Sequence, residues 1–334
     1  MEFRQLGRSG LRVSVVGLGC NTFGDSVDQG RADRIVFTAL DSGINFFDTA
    51  DAYSDGESER LLGQALGSNR AGAIIATKFG APSRSPVDAA PFLPSASRRY
   101  ITYALERSLK RLQTDWIDLY QIHWPDPTTP LEETLDTLGD MVRAGKIRYF
   151  GLSNFPGWQV ADAAWLARTG RIPGLVSLQC RWNLLERDCE REEVPACRAH
   201  GIGILPYFPL GAGLLSGAIG QASPARPDSH FSRLLNHEDP RVAGRLKDVR
   251  ALALVENLNR FAADCGRSLV DLALSWLINR DVVGSVIAGA SKPEQVAANA
   301  GAVGWSMTGE ELGKIASILD SWSPVSEASA GVER

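Results

Sequence analysis

Short apolar runs alternate with amphipathic stretches along nearly the whole chain. Residues 15–18 are apolar and are closed by Gly19. Residues 31–42 then place Ala32, Ile35, Val36, Ala39 and Leu40 at the spacing of one helix face, with Gly43 as a C-terminal stop. The apolar run Ile44-Asn45-Phe46-Phe47 follows and ends at Asp48. The same alternation repeats: a helix over 57–66, a strand ending at Lys78, a helix over 97–112, a strand ending at His123 and a helix over 131–144. It continues with strands at 149–152, 175–178 and 202–205, separated by helices at 158–168 and 191–200. The interval 210–248 is rich in Gly, Pro and Ser and has weak periodicity. Helices over 250–263 and 268–279, a last strand over 282–287, and helices over 293–300 and 309–319 complete the pattern. About eight strands alternating with helices predict a (β/α)8 TIM barrel.

Two details refine this fold. Residues 3–6 and 11–14 flank Gly7-Arg8-Ser9-Gly10 and read as a β-hairpin ahead of the barrel. A doubly wound sheet is the rival architecture, and it favours a glycine-rich turn after the first strand. The segment Gly17-Leu18-Gly19-Cys20-Asn21-Thr22 lacks the full GxGxxG spacing, and no helix begins directly after Gly24. No linker divides the chain, so one domain over 1–334 is expected, with a poorly ordered tail after about Trp322.

A chain of 334 residues with 44 % hydrophobic and 22 % charged residues has ample material for one large core. The net charge of -4 and the absence of a basic cluster argue against nucleic-acid or anionic-membrane partners. The first residues lack a signal-peptide core, and no apolar stretch approaches the ~20 residues a bilayer span needs. Cys20, Cys180, Cys189, Cys197 and Cys265 are scattered without CxxC spacing, which argues against zinc or a disulfide framework and for a reducing, cytoplasmic setting. His200, His230 and His237 have no metal-ligand spacing either, so no metal is expected.

The predicted barrel gives four polar residues a common address, because the C-terminal ends of barrel strands meet at one mouth. Asp48, Lys78 and His123 follow directly on strands, and Tyr53 sits just beyond the first of these. A carbonyl that receives hydride at carbon develops charge on oxygen and needs a proton. Tyr53 can supply it, but a free phenol titrates near 10. An adjacent ammonium, Lys78, lowers that value and stabilises the phenolate, Asp48 keeps Lys78 charged, and His123 orients the carbonyl. None of these groups is a hydride source, so a cofactor is required. Taken singly each residue has a plainer reading: Asp48 as a helix cap, Tyr53 as packing, Lys78 as a solvated charge and His123 as a core histidine. Their occurrence at successive strand ends makes four independent coincidences a poor account.

These residues and their surroundings resemble the aldo-keto reductase superfamily. The resemblance rests on GINFFDTADAY at 43–53, GESE at 56–59, Leu62-Gly63, Thr77-Lys78-Phe79, LYQIHW at 119–124 and GLSNF at 151–155. It continues through Gln179 with Asn183-Leu184, Tyr207-Phe208-Pro209-Leu210, IAGASKPEQ at 287–295, and Asn299. LGRSGL at 6–11 is similar to the bacterial and plant branch that also resembles potassium-channel β subunits. The resemblance implies a barrel whose bottom is closed by the hairpin and NADPH-dependent reduction of aldehydes or ketones. It assigns Tyr53 as general acid, Lys78 and Asp48 as its tuning pair and His123 as substrate orienter. It implies that Ser153, Asn154 and Gln179 hold the nicotinamide carboxamide and that Tyr207 stacks on the nicotinamide ring, with Asn21, Asp48 and Gly289 as further cofactor-binding positions. Leu210, Leu215 and Gly217 match the segment over the pyrophosphate; Ser291, Gln295 and Asn299 match the adenosine end. Phe23 and Trp124 follow strand ends and are candidate substrate-pocket walls, with the loops around Phe92 and 220–246 as further contributors.

The chain departs from that pattern at Gln295, where many relatives carry Arg, and at Ala298, where an acid is common. Loss of the fixed charge at 295 weakens the expected preference for NADP over NAD, and Lys292 can offset it. Three activities compete: carbonyl reduction, nucleotide binding with little turnover as in the channel-associated relatives, and Schiff-base aldol chemistry on Lys78. The last needs a neutral lysine. Substrate, reaction direction in the cell and oligomeric state are not legible in the residues.

Overall fold

The computed structural model describes residues 1–81, 95–217 and 249–320. The chain opens with an antiparallel pair, β1 (Phe3–Gln5) and β2 (Arg12–Ser14), as the hairpin pattern predicts. Eight parallel strands then close a barrel: β3 (Val16–Gly19), β4 (Phe46–Asp48), β5 (Ile74–Phe79), β6 (Ile117–Ile122), β7 (Ile147–Ser153), β8 (Leu175–Arg181), β9 (Gly203–Tyr207) and β10 (Val286–Gly289), with β10 pairing back onto β3. Helices α1 (Gln29–Asp41), α2 (Glu57–Leu66), α3 (Arg98–Leu112), α4 (Leu131–Arg143), α5 (Gly157–Thr169) and α6 (Glu193–His200) alternate with them, each packed on the next. Helices Val249–Asp264, Leu269–Ile278, Pro293–Gly301 and Gly309–Asp320 complete the described outer layer. This is the expected (β/α)8 TIM barrel with an N-terminal hairpin.

Local chemistry sets the helix ends. Asp28 caps α1 through Arg31 N, and Ser97 caps α3 through Tyr100 N. Ser268 and Asp271 form a reciprocal capping box at Leu269–Ile278. Apolar residues divide between two layers. Phe47, Ile75, Tyr120 and Leu178 face outward into the cluster shared with the helices. Phe46, Ala76, Leu119, Leu205 and Ile287 face inward and pack with Leu6, Leu11 and Val13 of the hairpin region. The hairpin thus closes the end of the barrel opposite the strand C-termini.

Several boundaries shift by a few residues from the sequence reading, and two of the shifts have a local cause. Helix α6 begins at Glu193 rather than 191, because Asp188–Glu190 form a tight 3-10 turn and Glu192 leaves the helical region. The last strand is Val286–Gly289 rather than 282–287. Val282 and Gly284 instead bond Ile204, which diverts that stretch to the edge of β9 before the barrel register begins. The expectations for Phe92, His230, His237, residues 220–246 and the tail after 322 lie outside the described residues.

Candidate active site

The site follows from the two-residue side-chain period of strands. In β4, Phe46 faces into the barrel and Asp48 does so one step nearer the mouth. In β5, Ala76 and Lys78 repeat the pattern, and in β6, Leu119 and Gln121. Apolar side chains therefore form a floor, and polar ones two residues later form the layer above it. Register aligns that layer: Asp48 pairs with Gly19 and Ala76, Lys78 with Gln121, and Ser153 with Gln179.

Lys78 is fully buried and all three of its ammonium protons are used. Its Nζ donates to Asp48 Oδ2 at 2.7 Å, to the carbonyl of Thr49 at 2.8 Å and to the Tyr53 hydroxyl oxygen at 3.3 Å. Asp48 is 3 % exposed, and its other oxygen accepts from Gln179 Nε2 at 2.7 Å and Gln121 Nε2 at 3.3 Å. The Tyr53 hydroxyl accepts from Lys78, so its own proton is free to point into the mouth. The Tyr53 and His123 rings meet edge to face with centroids 5.9 Å apart. The structure therefore brings Asp48, Tyr53, Lys78 and His123 together.

Their electrostatics correct one expectation. Burial pulls Lys78 down, but Asp48 and Tyr53 outweigh it and hold the ammonium above its usual range. The Tyr53 phenol moves up rather than down: burial raises it, the nearby Lys78 opposes this, and Asp48 raises it again. The ammonium's effect is blunted because the same ammonium is already paired with Asp48. Burial and Lys78 push His123 down to about 3, so its imidazole is neutral near pH 7. A neutral ring carries one N–H donor, and its Nδ1 has no hydrogen-bond partner.

A second group of expected residues lines the mouth beside this cluster. Asn154, in the left-handed region at φ 60°, donates to the His123 carbonyl at 3.0 Å and to the Ser153 hydroxyl at 3.2 Å. It also accepts from the Tyr207 hydroxyl at 2.8 Å. With the Asn154 backbone N–H donating to the Gln179 carbonyl at 3.0 Å, Ser153, Asn154, Gln179 and Tyr207 form one connected set. Leu210 and the buried Leu215 lie in a short turn that ends at exposed Gly217. Gly213 and Gly217 have positive φ and open space where a Cβ would project. Asn21 neighbours Gly289, where an added Cβ would come 3.4 Å from the Asn21 side-chain oxygen. Half-buried Ser291 and exposed Gln295 lie at the start of the helix Pro293–Gly301, and Asn299 is buried in it. Gln295 accepts from Ser291 N, the Ser291 hydroxyl and Lys292 N, so its carbonyl caps its own helix.

The two expected pocket walls separate. Trp124 is 43 % exposed at the mouth, whereas Phe23 is 0 % exposed and packs in the helix-layer cluster. Phe23 follows a strand end and bridges Val27, and its ring packs in the core rather than opening onto the mouth. Among the described residues no group of His, Cys, Asp and Glu is arranged to hold a metal ion, and no helix is long and apolar enough to cross a membrane.

Sequence reasoning missed an ion pair just behind the cluster. Glu59 on α2 is completely buried and accepts from Arg111 Nε at 2.6 Å and from the Thr77 hydroxyl at 2.5 Å. The signal was present: Glu59 lies on the same helix face as Leu62 and Leu66, where an acid is out of place. Above it, Ser54, Asp55 and Gly56 adopt three consecutive left-handed conformations directly after Tyr53. The two non-glycine residues cost about 1–2 kcal/mol each. Gln121, the second amide on Asp48, was also missed.

Comparison with known proteins gives a consistent picture. The sequence model of the Aldo/keto reductase family matches residues 15–320. An "uncharacterized oxidoreductase YrpG" of Bacillus subtilis is 36 % identical over 304 residues, covering 89 % of each chain. A "probable voltage-gated potassium channel subunit beta" of Oryza sativa is 34 % identical over 329 residues, covering 96 % of this chain and 97 % of its own. The "aldo-keto reductase YhdN" of Bacillus subtilis is 33 % identical over 327 residues, covering 96 % of this chain and 94 % of its own.

Proposed function

This chain belongs to the aldo/keto reductase family of oxidoreductases, and we propose that it reduces an aldehyde or ketone to an alcohol with NADPH. The observation that carries the proposal is the chain Asp48–Lys78–Tyr53, with contacts of 2.7 and 3.3 Å, at the mouth of the barrel.

A bound reduced nicotinamide supplies the hydride to the carbonyl carbon. Tyr53 donates its phenolic proton to the carbonyl oxygen as charge develops there. Its raised pKa keeps the phenol protonated, the form an acid requires. Lys78 is already in place to stabilise the phenolate left behind, and Asp48 keeps Lys78 charged and fixed. Neutral His123 donates one N–H to the same oxygen and so orients the carbonyl. Trp124 offers an apolar wall for the substrate. The same pairing argues against aldol chemistry, because an ammonium held protonated cannot attack a carbonyl.

The residues present fit a nicotinamide cofactor. The hydroxyl of Ser153 and the amides of Asn154 and Gln179 offer the donors and acceptors a carboxamide needs. The ring of Tyr207 offers a stacking surface, fixed through Asn154. The open backbone at Gly213 and Gly217 suits close approach of a pyrophosphate. At the adenosine end, Gln295 is occupied with its own helix, which leaves Lys292 as the cation for a 2′-phosphate. The free cysteines accord with a reducing cytoplasm.

The similarity to proteins named as probable potassium channel β subunits keeps a second reading in play, a nicotinamide-nucleotide-binding regulatory subunit with little turnover. A screen of aldehydes, ketones and sugars, following loss of NADPH absorbance, separates the two. Turnover with at least one carbonyl class is expected. Tight NADPH binding without turnover on any of them would favour the subunit reading.

A further inference from the structure

Behind the proposed proton donor lies a buried bracket with no part in the chemistry so far. Arg111 reaches from the last turn of α3 to Glu59 on α2, with both its Nε and a terminal nitrogen 2.6 Å from Glu59 Oε2. The other Glu59 oxygen takes the hydroxyl of Thr77, the residue before Lys78 on β5. The guanidinium passes directly beneath the turn that follows Tyr53: a Cβ on Gly56 would come within 2.6 Å of Arg111 Nε. That turn holds three successive left-handed residues, Ser54, Asp55 and Gly56, a conformation that needs support from its surroundings. On its other side Asp51 N donates to the Lys78 carbonyl at 3.1 Å. The turn carrying Tyr53 and the strand carrying Lys78 are thus seated on one ion pair.

We infer that Arg111, through Glu59 and the space left by Gly56, is a positioning residue that sets the distance between the Tyr53 hydroxyl and the Lys78 ammonium. The inference rests on the reading of Tyr53 as proton donor. Arg111 touches neither residue's polar end, so its effect runs through geometry. The leading influences on the Tyr53 phenol are burial and the charges of Lys78 and Asp48. A change in Tyr53 titration in Gly56→Ala, which keeps every charge, reports a change in the Tyr53–Lys78 contact, and the Arg111 variants are read beside it. The buried acid beside the pair supports the tightness of the arrangement: Asp51 faces Glu59, Arg111 and Lys78 and is pushed up to about 8, chiefly by burial.

The test compares wild type, Arg111→Met, Arg111→Lys and Gly56→Ala, with Tyr53→Phe as control. Turnover, NADPH affinity and the titration of Tyr53, followed by NMR of ring-labelled tyrosine and assigned from Tyr53→Phe, are measured for each. Displacing a reacting group by about 1 Å costs on the order of 100-fold, so Arg111→Met is expected to lose about 10- to 100-fold in kcat. NADPH affinity should stay within about 2-fold, since binding does not depend on that displacement. The Tyr53 titration should move upward, and Arg111→Lys should recover part of both changes. Gly56→Ala keeps every charge and lifts the turn, so it serves if Arg111→Met fails to fold, and a loss of kcat with the same upward titration is expected. Wild-type kcat and an unchanged Tyr53 titration in the folded Arg111→Met or Gly56→Ala protein would overturn the inference. Wild-type turnover in Tyr53→Phe would instead sink the reading of Tyr53 as acid, while the titrations would still report on positioning.

Discussion

Replacing Asp48 by Asn removes one charge from the site and leaves its shape nearly unchanged. The amide of Asp48→Asn would retain an acceptor for Gln179 and Gln121, which now lie 2.7 and 3.3 Å from Asp48 Oδ1. It would present an NH2 group to the Lys78 ammonium, which now sits 2.7 Å from Asp48 Oδ2 with 0 % exposure. Removing one partner of a buried ion pair typically costs about 3–5 kcal/mol. The pH dependence carries the sharper signature. In the wild type Lys78 is held above 10.5, so its contribution to stability is complete below that pH and is lost only as pH rises through the folded value. In Asp48→Asn burial acts with little opposition and the folded Lys78 drops below its unfolded value. Stability then rises with pH toward 10.5, with a slope of up to about 1.4 kcal/mol per pH unit for one proton. Urea unfolding at pH values between about 7 and 10 measures this directly. A variant with wild-type stability and the wild-type pH profile would refute the claim that Asp48 holds the Lys78 charge.

Other outcomes follow from the same geometry. His123 is depressed from 6.5 to about 3, so its contribution to stability is present above 6.5 and is lost as pH falls through the interval to about 3; thermal melts of His123→Gln should show a smaller loss across that interval than the wild type. Gly63→Ala would place a Cβ 2.4 Å from the Leu112 carbonyl, where α2 meets α3, and should lower stability by about 1–3 kcal/mol in urea unfolding. Lys292→Met should reduce the ratio of NADPH to NADH affinity about 10-fold in fluorescence titrations, because the Gln295 carbonyl is already committed to its helix.

Much of this architecture is legible in the residues because strand and helix periods differ. The runs ending at Asp48, Lys78 and His123 are short, apolar and closed by polar groups, and each forms a barrel strand with its polar residue at the mouth. The common address of Asp48, Tyr53, Lys78 and His123 follows from topology alone. What is not legible depends on contacts between elements. The last strand lies further toward the C-terminus because Val282 and Gly284 bond Ile204, a partner no local pattern names. Phe23 has the sequence position of a pocket wall, yet its turn folds it into the core. The direction of the Tyr53 shift needs the competition between burial and a lysine already paired, and Arg111 needs the space that Gly56 leaves.

The central claim is that Tyr53 delivers the proton during carbonyl reduction, and Tyr53→Phe tests it most directly. Single-turnover reduction of an aldehyde should be measured in wild type and variant, beside NADPH affinity by fluorescence. Loss of a general acid predicts a fall of about 100- to 10,000-fold in the hydride-transfer rate, with NADPH affinity nearly unchanged. Hydride transfer at close to the wild-type rate in Tyr53→Phe would contradict the account.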